Sequence, residues 1–167
     1  MVEVILYTLL VIIISTTMIL SLTEVIKGRL VIEKIREISE NSRYANAFIV
    51  KNFRKAHALA VGTGQTTNPA AIRLYMDESN STYFDLDTNL KAVLIDGQPQ
   101  IIRYLQYNEN SGTPVQITSN DVTVDHFSVD ILTVATEPEN FHIQLQISHA
   151  SGLGSSISTQ TSISLRQ

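Results

Sequence analysis

Between Val4 and Leu22 the chain reads VILYTLLVIIISTTMILSL, 19 residues without a charge, a proline or a glycine. As a helix, at ~1.5 Å per residue, that run reaches about 28 Å, close to the ~30 Å thickness of bilayer hydrocarbon. A buried helix that is apolar all round is rare outside large proteins. A cleaved secretory signal has a basic start, an apolar stretch of ~7–15 residues and a small-x-small cleavage site. This run is longer, and the SLTEVIKGRL into which it passes offers no such site. The reading is a membrane-embedded helix. Its interruptions, Thr8, Ser15, Thr16 and Thr17, are small hydroxyl residues that in lipid either sit at helix contacts or bond their own helix.

Glu3 stands at the head of the run. There its carboxylate suits the positive end of a helix dipole. Drawn toward the hydrocarbon centre it would cost ~2.5–3.5 kcal/mol on insertion scales, which favours neutralisation by a positive group on its own or a neighbouring chain. Beyond Leu22 the pattern becomes striped. Val31, Ile35, Ile38, Ser42, Ala45, Ile49, Phe53, Ala56 and Ala60 recur at steps of three and four, the spacing of one helix face, while Glu33, Lys34, Glu37, Glu40, Lys51 and Lys55 fall largely off it. The helix is therefore predicted to continue to about Ala60, with Gly28 its weakest point and the Gly62–Pro69 stretch its terminator. Such a stripe needs a partner, supplied by the rest of the chain or by other helices.

From Ala70 the period becomes two. Strands are predicted at Ala71–Met76, Thr82–Asp87, Ala92–Ile95, Ile101–Tyr107, Val115–Thr118, Val122–Thr133, Phe141–Ser148 and Ile157–Leu165. Turn chemistry separates them at Asp77–Asn80, Asp96-Gly97, Asn110–Pro114, Glu137-Pro138 and Gly152–Gly154. In Phe141–Ser148, Phe141, Ile143, Leu145 and Ile147 share one face and His142, Gln144, Gln146 and Ser148 the other, so one sheet face is buried. Tyr104 and Tyr107 have opposite parity and cannot both face inward on a regular strand. The fold class is α+β, a long N-terminal helix packed on an antiparallel sheet. It divides into a transmembrane half (1–22), an amphipathic half (23–61) and a β domain (62–167).

Residues 1–60 carry eight Lys or Arg against five acidic residues, and 61–167 four against eleven. An acidic outer domain argues against a nucleic-acid partner, whose phosphates require basic side chains. The chain has no cysteine, which removes disulfides, thiol catalysis and cysteine-based zinc sites. No G-x-S-x-G, H-E-x-x-H or phosphate-loop pattern occurs, so the reading is not an enzyme and has no cofactor. His57, His126, His142 and His149 are irregularly spaced. Asp85-Leu86-Asp87-Thr88-Asn89 begins like a calcium loop, but Leu90 falls where the sharp turn needs glycine and Asp96 where a bidentate Glu belongs. A strand ending in a polar turn accounts for it better.

The start, Met1-Val2-Glu3-Val4-Ile5-Leu6-Tyr7, and the apolar helix that follows resemble the type IV pilin and type II secretion pseudopilin superfamily, with Glu3 in the place of the family's glutamate. The closing Thr161-Ser162-Ile163-Ser164-Leu165-Arg166 is similar to the ending of minor pseudopilins of the J type. The helix resemblance covers about a third of the chain, and the sheet half matches by pattern alone. In the family a short basic leader ending in Gly precedes this segment, so the resemblance implies a start upstream of Met1 or a trimmed chain. It further implies a single pass through a bacterial inner membrane, with the leader inside and the β domain outside. Lys27, Arg29, Lys34 and Arg36 alone, by the positive-inside rule, point the other way. Expected partners are other pilin or pseudopilin subunits, a prepilin peptidase acting on a leader, and membrane lipid, with Glu3 as the assembly residue. The rival expectation is a single-pass anchor carrying a β-rich binding or adhesion module.

Overall fold

In the computed structural model, residues 1–59, 71–132, 140–152 and 156–164 are described. Helix α1 (Val2–Phe53) is followed by β1 (Ala58–Leu59), β2 (Ile72–Tyr75), β3 (Tyr83–Ile95), β4 (Gln98–Glu109), β5 (Val115–Gln116), β6 (Val122–Leu132), β7 (Asn140–His149) and β8 (Ile157–Ser164). The class is α+β, a long N-terminal helix with antiparallel strands. The chain divides into two compact units, residues 1–34 and 35–167. In the first, α1 stands alone, its apolar side chains exposed. Among the described residues one helix is long and apolar enough to cross a membrane.

In the second unit the striped part of α1 meets the strands. Ile38, Ala45, Ile49 and Phe53 are buried along one helix face, with Ser42 among them. The Phe53 ring lies 5.8 Å from Phe141, and Phe48 lies 5.8 Å from Phe84 and 4.9 Å from Tyr107, which stacks on Phe84 at 5.1 Å. A polar row flanks this seam. Ser42 Oγ lies 2.8 Å from Thr159 Oγ1, Thr161 Oγ1 donates to Asn46 Oδ1 at 3.0 Å, and Asn41 accepts from the Ser119 amide at 2.9 Å. Apolar packing is non-directional, so these bonds fix which way the helix is rotated and how far it is slid on the strands.

The strands form two antiparallel sheets rather than one. The first has the order β1-β2-β3-β4-β5, the second β6-β7-β8. The chain passes between them beside β4, where Thr118 Oγ1 accepts from the Leu105 amide and Thr123 Oγ1 from the Arg103 amide, at 3.2 and 3.1 Å. Asp96 and Gly97 both have positive φ, 51° and 77°, which closes β3 and β4 as a two-residue hairpin of the primed type. On β7 the inward set Phe141, Ile143, Leu145 and Ile147 is buried, as its alternation requires. Tyr104 and Tyr107 take opposite faces, with Tyr107 packed against the core.

Three expectations are corrected. The helix ends at Phe53 and not near Ala60, because the His57 amide donates to the Tyr75 carbonyl at 2.9 Å and Ala58 and Leu59 pair with Tyr75 and Leu74. Ala56 is buried as its place in the stripe suggested, but beyond the helix. Here sheet pairing overrides alanine's helix propensity. The strands expected at Thr82–Asp87 and Ala92–Ile95 are one strand, β3, since Thr88 to Lys91 pair without a break with Leu105 to Ile102. For the same reason Asp85–Asn89 run along the strand and do not end it in a turn. Gly28 sits inside an unbroken helix. Ala60, the Gly62–Pro69 terminator, Thr133, Glu137-Pro138, Leu153-Gly154 and Leu165 lie outside the described residues.

Phe53 has no exposed surface. Its substitution by Ala is expected to cost about 3–5 kcal/mol by loss of burial and by the cavity left behind, whereas Lys51→Ala, on the exposed helix face, stays within about 0.5 kcal/mol. Denaturant unfolding followed by near-UV circular dichroism measures both.

Candidate functional site

Glu3 lies in the first turn of α1, exposed, with no ion-pair or side-chain hydrogen-bond partner among the described residues. The threonine hydroxyls of this unit are satisfied within the helix. Thr8 donates to the Ile5 carbonyl at 2.9 Å, Thr16 to Ile12 at 2.7 Å, Thr17 to Ile14 at 2.9 Å and Thr23 to Leu20 at 2.7 Å. Back-bonded in this way, they present methyl groups outward and lower the cost of placing hydroxyls in hydrocarbon. Tyr7, Thr8, Val11 and Ile12 border a shallow, almost wholly apolar groove on the same unit. The carboxylate of Glu3 is thus a lone charge at the head of an apolar helix whose threonine hydroxyls are bonded to its own backbone.

The four histidines stay apart. His126 Nε2 lies 3.1 Å from Ser128 Oγ, and His142 Nδ1 lies 3.3 Å from Ser162 Oγ on the neighbouring strand. His149 is buried, with Nδ1 2.8 Å from Ser151 Oγ and Nε2 3.7 Å from Glu37 Oε2. His57 is exposed beside β1. Among the described residues no three His, Asp or Glu side chains come together as metal ligands.

A polar cluster that the sequence reading did not assemble lies on the outer face of the first sheet. Arg73 on β2 and Asp85 on β3 are cross-strand partners joined by two bonds, Nε to Oδ1 at 2.6 Å and Nη2 to Oδ2 at 2.8 Å. The guanidinium also lies 4.2 Å from the centre of the Tyr83 ring. Asp85 holds the Arg73 pKa well above its ordinary value. With Ile72, Leu86, Asp87 and Asn108 the pair borders an open hollow of about 310 Å³. What sets this register is the turn before it. The Asp77 carboxylate accepts bonds from Ser81 and Ser79 Oγ and, at 3.0 Å, from the Thr82 amide.

Comparison of the chain with protein-family models, with curated proteins and with solved structures finds no match.

Two outcomes follow from this geometry. Because Arg73 is partly exposed, a double-mutant cycle of Arg73→Ala and Asp85→Ala should return a coupling of about 0.5–1 kcal/mol that shrinks with added salt. The bonds from Ser81, Ser79 and Thr82 hold the Asp77 carboxyl well below the ordinary carboxylate range. A depressed folded pKa contributes stability that is fully present above the unfolded value, ~3.9, and is lost as pH falls from there through the folded value. A carboxyl-detected NMR titration should therefore find Asp77 still ionised in acid that has protonated the unperturbed aspartates.

Proposed function

We propose that this chain is a structural subunit of a pilin-like filament, of the minor pilin or pseudopilin kind, held in the membrane by its N-terminal helix and assembled through it. The observation that supports this most is the single unbroken helix, apolar and membrane-length at one end and the buried centre of a β domain at the other. Glu3 is the only charged side chain in residues 1–23 and meets no cation among the described residues. In a bundle of such helices it would pair with the amino terminus of a neighbouring subunit. An ion pair withdrawn from water rewards that arrangement, because a lone carboxylate there is costly. On this reading the protein is not an enzyme. The β domain lies outside a bacterial inner membrane, and the partners are sibling subunits, a prepilin peptidase and lipid.

The full chain is expressed in membranes, and its assembly is followed by sedimentation and electron microscopy of sheared material. Glu3→Ala and Glu3→Gln are each expected to lower assembled protein about tenfold or more while the membrane-bound amount is unchanged, since only the pairing is removed. Unchanged assembly in both variants overturns the role of Glu3. A wild-type chain that remains a membrane monomer overturns the filament reading and leaves the anchored binding module.

A further inference from the structure

The hairpin of β3 and β4 is longer than the core it serves. Near its base Leu86 and Leu105 are buried on the inward face. Further out the same face, by the two-residue period, carries the pairs Leu90 with Arg103, Ala92 with Ile101 and Leu94 with Pro99. These are bare. Leu90, Leu94 and Ile101 are 59, 77 and 76 % exposed, respectively, and Ala92 and Pro99 are exposed too. The opposite face of the same hairpin is not bare, for Ile95 and Ile102 are buried and Lys91 Nζ bonds Asn120 at 3.2 Å. One face of the outer hairpin is thus an uncovered apolar strip with Arg103 at its base.

Charge indicates what the strip meets. Residues 89–104 hold Lys91 and Arg103 against Asp96, whereas the rest of 61–167 holds two basic residues against ten acidic ones. The hairpin is a cationic projection from an acidic domain. The hollow on the outer face of the sheet supplies the complement. Asp85 there is neutralised by Arg73, but Asp87 has no ion-pair partner among the described residues, and Asn108 Oδ1 is buried with no donor among them. Ile72 and Leu86 border the same hollow from strands whose side chains at those two positions are buried in the core, so the side chains that the hollow presents to a partner are chiefly polar. Arg103 likewise has no ion-pair partner among the described residues.

We infer that the exposed strip of the β3–β4 hairpin docks on the Asp87 hollow of a second copy of this chain, with Arg103 turned toward Asp87. Strip and hollow lie on opposite faces of one sheet, so the contact is heterologous: the copy that gives its strip keeps its hollow free, and the copy that gives its hollow keeps its strip. Contacts of that kind propagate unless a rotation closes them. Size also selects this partner. Five strip residues fall far short of the ~20–30 per side of a stable free interface. They suffice only between molecules already concentrated by something else, and a shared membrane anchor supplies that concentration to copies of this chain. The inference rests on the filament reading, to which it adds a specific contact between subunits.

The chain's lack of cysteine makes the test direct. Full chains carrying Leu90→Cys, cross-strand from Arg103, or Ala71→Cys, exposed on the border of the hollow, are co-expressed in membranes and oxidised, and a mixed disulfide between positions 90 and 71 is expected. In parallel, Arg103→Asp and Asp87→Arg should each lower assembly about tenfold, and the two together in one chain should restore it, because the charges are exchanged and not lost. Unchanged circular dichroism excludes misfolding as the cause of a loss. No 90–71 disulfide, a 90–90 disulfide in its place, protection of position 90 by lipid, or single losses that the double exchange does not restore would each overturn the inference. If wild type assembles and Glu3→Ala does not while the 90–71 disulfide is missing, the filament reading stands and the hairpin contact fails. If wild type does not assemble at all, the filament reading fails first.

Discussion

One helix face, Ile38, Ser42, Ala45, Ile49 and Phe53, holds the β domain together. Neither sheet is wide enough to bury an apolar face by folding on itself, and both place their inward side chains in one cluster with that helix. The apolar contacts supply most of the driving force, but they would tolerate small slips of the helix. Ser42, Asn41 and Asn46 do not tolerate them, since each has a hydroxyl or amide partner on the strand side and loses a bond worth about 1 kcal/mol when displaced. Rotation of the helix is thereby fixed in the second unit, and with it the face that Tyr44, Ala47 and Lys51 leave exposed.

The sequence made the periods legible, and the structure shows where periodicity ceases to decide. A step of three or four identified the buried stripe from Ile38 to Phe53 and also placed Ala56 inside the protein, while Val31 and Ile35, at the head of the same stripe, are exposed. It could not show that Ala56 leaves the helix, because the competing bond, from the His57 amide to Tyr75, joins residues far apart in the chain. The mostly polar stretch Thr88–Lys91, with Leu90 its one apolar residue, read as a gap between strands for a similar reason. Its continuity is imposed from β4, whose own pattern runs unbroken opposite it. Division into two sheets had no local signal at all. It depends on where β6 pairs, and β6 and β7 read correctly as strands in either arrangement.

Of the site features, Glu3 was legible from a single fact, a charge at the head of an uncharged run. The Arg73–Asp85 pair was legible in principle. A turn centred on Ser79 reflects Tyr75 onto Tyr83 and Arg73 onto Asp85, the register observed. What sequence reading lacked was the certainty that this turn closes a direct hairpin, which the Asp77 bonds to Ser79, Ser81 and Thr82 supply. The bare hairpin strip was hidden differently. Its residues alternate like those of any half-buried strand, and only the end of the core shows that Leu90, Leu94 and Ile101 have nothing over them.

Two apolar surfaces left uncovered in one chain impose opposite demands. The N-terminal helix offers hydrocarbon-length coverage and little that discriminates one neighbour from another, because lipid tails and helices are equally apolar. On the proposed filament reading discrimination there falls to Glu3, a charge whose partner must be correctly placed. The hairpin strip is small, and an acidic domain of the same sign on every copy opposes indiscriminate approach. In the proposed contact such repulsion is overcome where a cation meets a carboxylate, which would limit close approach to the orientation that brings Arg103 to Asp87. On the proposed filament reading both surfaces use one charge to give direction to apolar contact that has none of its own, and the membrane anchor acts first, concentrating the chains so that the small hairpin contact can form.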